Sequence, residues 1–223
     1  TPYRIQVKAN ENEIEKSLAF KWAMRQNTLL KEQEKFAERM SYFLEDNPGA
    51  SLSIYPQTYA VKEKEYILLF EAKKKYYLSN HKKDGFGEND SLEVDKLSAK
   101  DPLFSKYLNK QVPDSMLFTV QDKCLRLVGN MLLQTRLGQL TKEREQAFMI
   151  YFKEKKVDGR IKFHASENVT PYNGFSFYKI DYKGEIPDYL QKAHQKMNEF
   201  DDESPRKKYK KERLKKKTAV QYK

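Results

Sequence analysis

Residues 157–164 read VDGRIKFH and residues 175–183 read FSFYKIDYK, and these two stretches decide the fold class. In each of them apolar and polar side chains alternate, so that Ile161 and Phe163 fall on one side of an extended chain. A loop containing Pro, Asn and Gly separates the two stretches. The pattern predicts a small antiparallel β-hairpin near residues 157–183. Because the other periodic stretches are helical, the expected fold class is α+β, predominantly helical.

The longest expected element is an N-terminal helix over about residues 12–44. This stretch contains no Pro or Gly, and Asn47-Pro48-Gly49 follows it as a stop signal. Its large apolar residues include a seven-residue repeat formed by Trp22, Leu29, Phe36 and Phe43. Such a repeat is typical of helices that pack along another helix. We therefore expect this helix either to pack on the protein's own core or to bind other proteins or a second copy of the chain.

The remaining patterns predict a single globular domain over residues 1–203. A helical core is expected over about residues 62–156, and the hairpin and one further helix follow over about residues 157–200. Residues 204–223 lie outside this domain and form a polybasic C-terminal tail.

The basic charge of the chain is concentrated in that tail. The 223 residues carry a formal net charge of +11, and residues 204–223 (SPRKKYKKERLKKKTAVQYK) contain ten Lys or Arg and one Glu. The tail therefore carries +9 and the rest of the chain +2. A tail of this kind neutralises phosphates of DNA or RNA whatever the base sequence. The same composition is also typical of a solubilising disordered end or a nuclear localisation signal.

Phosphate contacts are expected from nine basic residues of the tail, namely Arg206, Lys207, Lys208, Lys210, Lys211, Arg213, Lys215, Lys216 and Lys217.

Two further basic sites are expected to contact phosphate. Lys73, Lys74 and Lys75 precede two tyrosines in a predicted helix, and lysines interleaved with aromatic residues suit both phosphate contact and base stacking. A solvated helix face has the same pattern. Arg160 and Lys162 share one side of the first predicted strand and form the second site.

A third constellation has the composition of a catalytic site. Asp158 lies on the first predicted strand, and Asp181-Tyr182-Lys183 lies on the second. Over about 30 residues this spacing resembles the core of the PD-(D/E)xK nucleases. The resemblance implies that Asp158 and Asp181 bind Mg²⁺ or Mn²⁺ and that Lys183 supports the attacking water. Carboxylate-bound metal would also stabilise the charge that develops on phosphorus.

Several classes of function are excluded or disfavoured. The chain contains no apolar run long enough to cross a membrane, so no membrane insertion is expected. Without an apolar N-terminal stretch, we expect an intracellular protein, cytoplasmic or nuclear, or a virion-associated one, and not a secreted one. The single cysteine, Cys124, excludes an intramolecular disulfide and lies in an apolar helical stripe, which favours a buried structural thiol.

Taken together, these patterns favour a non-enzymatic nucleic-acid-binding component of a larger assembly, such as a ribonucleoprotein, a replication or transfer complex, or a virion. Such a component needs no cofactor. The alternatives are the metal-dependent nuclease and a protein–protein scaffold that works through the long N-terminal helix.

Overall fold

The computed structural model describes residues 16–81, 85–113, 116–117, 119–169, 174–199 and 212. Residues 12–15 of the expected long helix lie outside the described residues. The nine basic tail residues named above lie outside them as well. Within the described residues the chain forms seven α-helices and a mixed sheet of five strands, an α+β fold.

The elements are, in chain order, β1 (Lys16–Trp22), α1 (Lys31–Asp46), β2 (Leu52–Thr58), α2 (Ala60–His81), α3 (Glu88–Lys96), α4 (Pro102–Gln111), α5 (Val120–Val128), α6 (Asn130–Glu154), a 3-10 turn (Asp158–Arg160), β3 (Ile161–Phe163), β4 (Glu167–Asn168), β5 (Ser176–Tyr182) and α7 (Asp188–Asn198).

The described residues belong to two compact units. Among the described residues, the sheet unit contains residues 16–23, 28–59, 145–169 and 174–199. The helical unit contains residues 24–27, 60–81, 85–113, 116–117, 119–144 and 212. The single domain expected over residues 1–203 contains parts of both units and stays a prediction.

The sheet has the strand order β1-β5-β2-β3, and β4 also pairs with β2. Strand β5 runs antiparallel to both β1 and β2, whereas β3 and β4 run parallel to β2. The predicted hairpin is not confirmed, because β2 lies between β3 and β5 and pairs with each of them. Periodicity identified the extended stretches, but it carries no information on a partner strand more than a hundred residues away.

The long N-terminal helix is wrong over residues 16–22, which form β1, and helix α1 begins only at Lys31. Leu18 and Trp22 lie four residues apart, as on a helix face, but Leu18, Phe20 and Trp22 also alternate as in a strand. Pairing with β5 over the whole length of β1 decides between the two patterns.

One face of the sheet forms the core of the sheet unit. Phe20 is fully buried there and lies 5.1 Å from the ring of Trp22 and 5.2 Å from that of Phe148, measured between ring centroids. Helices α1, α7 and the last part of α6 supply the opposing residues, among them Phe36 and Leu190. Large aromatic side chains contribute most of the apolar area that such a core buries.

Strand β2 is central although it contains Pro56. The carbonyls of Ile54 and Thr58 accept hydrogen bonds from the amides of His164 and Val169, so even-numbered residues of β2 point their backbone groups toward β3 and β4. Pro56 has the same parity, and its missing N–H therefore faces the gap between these two short strands. His164 follows the last residue of β3 and stays beside β2, because its amide donates a hydrogen bond to the Ile54 carbonyl.

The core of the helical unit is formed by α2, α4, α5 and α6, and Cys124 is buried in it. Burial raises the pKa of the Cys124 thiol to about 11, so it is protonated at neutral pH. Gly129, with φ of +85°, separates α5 from α6. No helix within the described residues is both long enough and apolar enough to cross a membrane.

Candidate functional site

The second face of the sheet points away from the core and carries side chains of a different kind. Strand register places residues of adjacent strands side by side on this face, in three rows. The rows are Ser17–Asp181–Ser53–Lys162, Ala19–Lys179–Tyr55 and Lys21–Phe177–Gln57. We call this surface the open face. Apart from Asp181, its side chains are half-buried or exposed.

A stacked pair of rings occupies the middle of the open face. The rings of Tyr55 and His164 lie 4.1 Å apart between centroids with an interplanar angle of 11°. The Lys179 ammonium lies 5.4 Å from the centroid of the Tyr55 ring, and the Lys179 side chain is 48% exposed. His164 therefore supports the Tyr55 ring, while the charged end of Lys179 lies near that ring.

A second group of aromatic and basic side chains lies at the start of β5. Phe177 is half-buried on the open face, and Phe175 precedes it by two residues. The Lys21 ammonium lies 5.6 Å from the centroid of the Phe175 ring. Partial burial lowers the pKa of Lys21 below its usual value. A lysine of the open face thus lies near an aromatic ring twice, Lys179 at Tyr55 and Lys21 at Phe175.

Asp181, one of the predicted metal ligands, lies on the open face but is only 5% exposed. Its carboxylate accepts hydrogen bonds from the Ser17 hydroxyl and from the Lys179 ammonium, the latter at 3.2 Å. Each carboxylate oxygen of Asp181 therefore already accepts a hydrogen bond, one from Ser17 on the adjacent strand β1 and one from Lys179 on β5 itself. This arrangement offsets part of the negative charge that Asp181 places on the face.

The nuclease constellation is not brought together. Asp158 lies in the 3-10 turn before β3, Lys183 is exposed beyond the end of β5, and the whole of β2 lies between β3 and β5. Two strand spacings of about 4.8 Å each separate the two strands. Among the described residues, no group of three His, Cys, Asp or Glu side chains could hold a metal ion.

The two predicted residues of the first strand have different roles. Arg160 lies in the 3-10 turn and donates hydrogen bonds to the carbonyl oxygens of Leu44 at 2.5 Å and Asn47 at 2.8 Å. These carbonyls belong to the C-terminal end of α1, where unpaired carbonyls need donors. Arg160 therefore stabilises a helix end, and its expected contact with phosphate stays a prediction. Lys162, in contrast, is exposed on the open face next to Ser53.

Lys73, Lys74 and Lys75 do not form one patch. Lys73 is only 9% exposed, and the Lys74 ammonium lies 4.3 Å from the ring centroid of Phe86. Lys75 donates a hydrogen bond of 2.9 Å to the Leu127 carbonyl. Consecutive helix residues point about 100° apart, which spreads these side chains around α2. The sequence pattern alone could not reveal these partners.

Two apolar residues of the seven-residue repeat are buried in the protein's own core, and binding of a partner through the long helix stays a prediction. Leu29 is 6% exposed and Phe36 is fully buried, and both belong to the core of the sheet unit. Their seven-residue spacing reflects packing inside the unit.

The helical unit contains a cavity of about 230 Å³. Its charged side chains are paired with one another or with neighbours: Arg25 with Asp95 at 2.8 Å and Arg136 with Glu71 at 2.9 Å. These pairs balance each other's charge, so the cavity has no clear preference for a class of ligand.

The open face was missed in the sequence analysis, except for Lys162 and Asp181. The alternation in residues 175–183 already placed Phe175, Phe177 and Lys179 on one side of a strand. Lys21 could not be added, because it was expected to lie in a helix, and Tyr55 could not be added, because no strand was predicted around it. Comparison of the chain with models of protein families, with curated proteins and with solved structures gives no match.

Proposed function

We propose that the protein binds nucleic acid through the open face of its sheet, as a non-enzymatic component of a larger assembly inside a cell or virion. The observation that carries the proposal is the combination of half-buried aromatic rings and lysines on one side of two adjacent strands, centred on Tyr55 and Lys179. Aromatic rings stack on bases of any sequence, and lysines neutralise the neighbouring phosphates.

The charges of the open face are compatible with this role. Lys21, Lys162 and Lys179 supply three positive charges, and the carboxylate of Asp181 is engaged by Ser17 and Lys179. This small surplus of positive charge fits weak binding of nucleic acid by the open face alone. The basic tail would add phosphate contacts that do not depend on base sequence, and together the two elements would give useful affinity.

The test is a binding titration of the full chain with labelled single-stranded RNA, single-stranded DNA and duplex DNA, followed by fluorescence anisotropy over a salt series. Tyr55→Leu should weaken binding of at least one of these ligands about five- to 150-fold, since one stacked base contributes about 1–3 kcal/mol. The matched control is Tyr66→Leu, because Tyr66 is a tyrosine of the helical unit that is 39% exposed.

The role of the tail is tested separately with a chain that ends at Glu203. Loss of the tail should flatten the dependence of affinity on salt, because fewer counterions are released. It should leave the ratio between wild-type and Tyr55→Leu affinities unchanged. If Tyr55→Leu and Tyr66→Leu bind all three ligands as the wild type does, the open face is not the binding site.

A further inference from the structure

We propose that the open face takes unpaired bases and holds three of them in succession, on the rings of Tyr55, Phe177 and Phe175. This inference rests on the proposed function and specifies its ligand as single-stranded nucleic acid.

The spacing of the three rings carries the inference. Tyr55 lies opposite Lys179 and Phe177 lies opposite Gln57, so Tyr55 and Phe177 are diagonal neighbours, about 7–8 Å apart. Phe175 precedes Phe177 by two residues, about 6.8 Å along an extended chain. Bases in a duplex are stacked about 3.4 Å apart. The rings therefore match bases spread to about twice that separation, which only an unpaired strand allows.

Two lysines accompany the three rings. The Lys179 ammonium lies 5.4 Å from the centroid of the Tyr55 ring, and the Lys21 ammonium lies 5.6 Å from that of Phe175. Lys21 is also directly opposite Phe177 in the strand register. An ammonium beside a ring is close enough to contact the phosphate next to a base that stacks on that ring, and Lys179 can do so in addition to its ion pair with Asp181.

The row of rings ends at three for structural reasons. Beyond Tyr55, the next row of the open face contains Ser17, Asp181, Ser53 and Lys162, and none of these side chains offers a ring. Before Phe175, Gly174 adopts a φ of +74°, so the extended direction of β5 does not continue. The series Tyr55, Phe177 and Phe175 consequently has no fourth ring on which another base could stack.

The experiment keeps the number of phosphates constant, so that the tail contributes equally throughout. Full-length protein is titrated with a series of DNA strands of the same length. Each strand carries one contiguous block of thymine bases, which is one base longer in each successive strand, and all positions outside the block are abasic. Affinity should rise about five- to 150-fold with each of the first three bases and then stay level. In Phe175→Leu it should become level after two bases.

The matched control is Phe86→Leu, because Phe86 also lies beneath a lysine, Lys74, but belongs to the helical unit. Its profile should equal that of the wild type. A rise that continues beyond three bases, an unchanged profile in Phe175→Leu, or competition by duplex as effective as that by single strand would overturn the three-base site. If instead Tyr55→Leu binds like the wild type in every case, the proposed function itself fails.

Discussion

The two faces of the sheet are built from the same strands, yet they carry opposite kinds of side chain. On the core face, Phe20 is fully buried among other aromatic rings. On the open face, Phe177 is half-buried next to lysines. Because successive side chains of a strand point to opposite faces, stability and binding are assigned to alternate residues of one segment. Mutations one residue apart should therefore have effects of different kinds.

The largest expected effect is on the core face. Phe20→Ala should lower the free energy of unfolding by about 3–5 kcal/mol, because it removes a buried ring and leaves a cavity. Urea denaturation followed by circular dichroism measures this change. A loss below about 1 kcal/mol would mean that the two faces do not differ in the way described.

The matched substitution on the open face is Phe177→Ala. It should lower the free energy of unfolding much less, because the ring is already partly in water, but it should weaken binding of single-stranded nucleic acid by about 1–3 kcal/mol. Denaturation and anisotropy titrations of the same preparation separate the two quantities. A variant that binds normally but unfolds easily would place Phe177 with the core.

A smaller effect separates two neighbouring basic residues. Arg160→Gln should lower the free energy of unfolding by about 1–2 kcal/mol, because carbonyls at the end of α1 lose charged donors. Lys162→Gln should leave the unfolding free energy within about 0.5 kcal/mol and instead reduce the salt dependence of binding. If Arg160→Gln reduces the salt dependence as well, the arginine contacts phosphate in spite of its hydrogen bonds.

The smallest expected effect concerns pH. Burial lowers the pKa of His194 below its ordinary value of 6.5, and the positive charge of Lys21 acts in the same direction, while a hydrogen bond with the Ala19 carbonyl partly opposes both. The unfolded chain therefore binds a proton more readily than the folded protein does. The stability that neutral His194 provides is present above pH 6.5 and is lost as the pH falls through the lowered pKa.

His194→Gln should remove this part of the pH dependence. The free energy of unfolding is measured by urea denaturation of wild type and variant at pH 7.5, 6.5 and 5.5. Plotted against pH, the free energies of the two proteins should converge toward the acid end. Parallel curves at all three values would show that His194 does not contribute to the acid sensitivity.

The sequence predicted the kinds of element better than their arrangement. Helices were expected over about residues 62–156, and in that range local signals are clear at α4, where Asp101 caps the helix and Pro102 occupies its first position. They are also clear in the alternation of β5. They failed at β1 and at the supposed hairpin, because both errors concern pairing between residues far apart in the sequence. Of the candidate site, Lys162 and Asp181 were found, and Tyr55 was missed because its strand was not expected to lie beside β5.

The position of β5 in the sheet affects how the protein is made. Ser17 on β1 pairs with Asp181 on β5, and 164 positions of sequence separate them. A ribosome that adds about 5–20 residues per second needs roughly 8–33 seconds to synthesise that interval. Throughout this time β1 lacks its partner strand, and its apolar residues stay exposed. The segment Ala60–Arg144 of the helical unit emerges well before β5. A nascent chain is thus expected to need a chaperone at β1 until β5 has been synthesised.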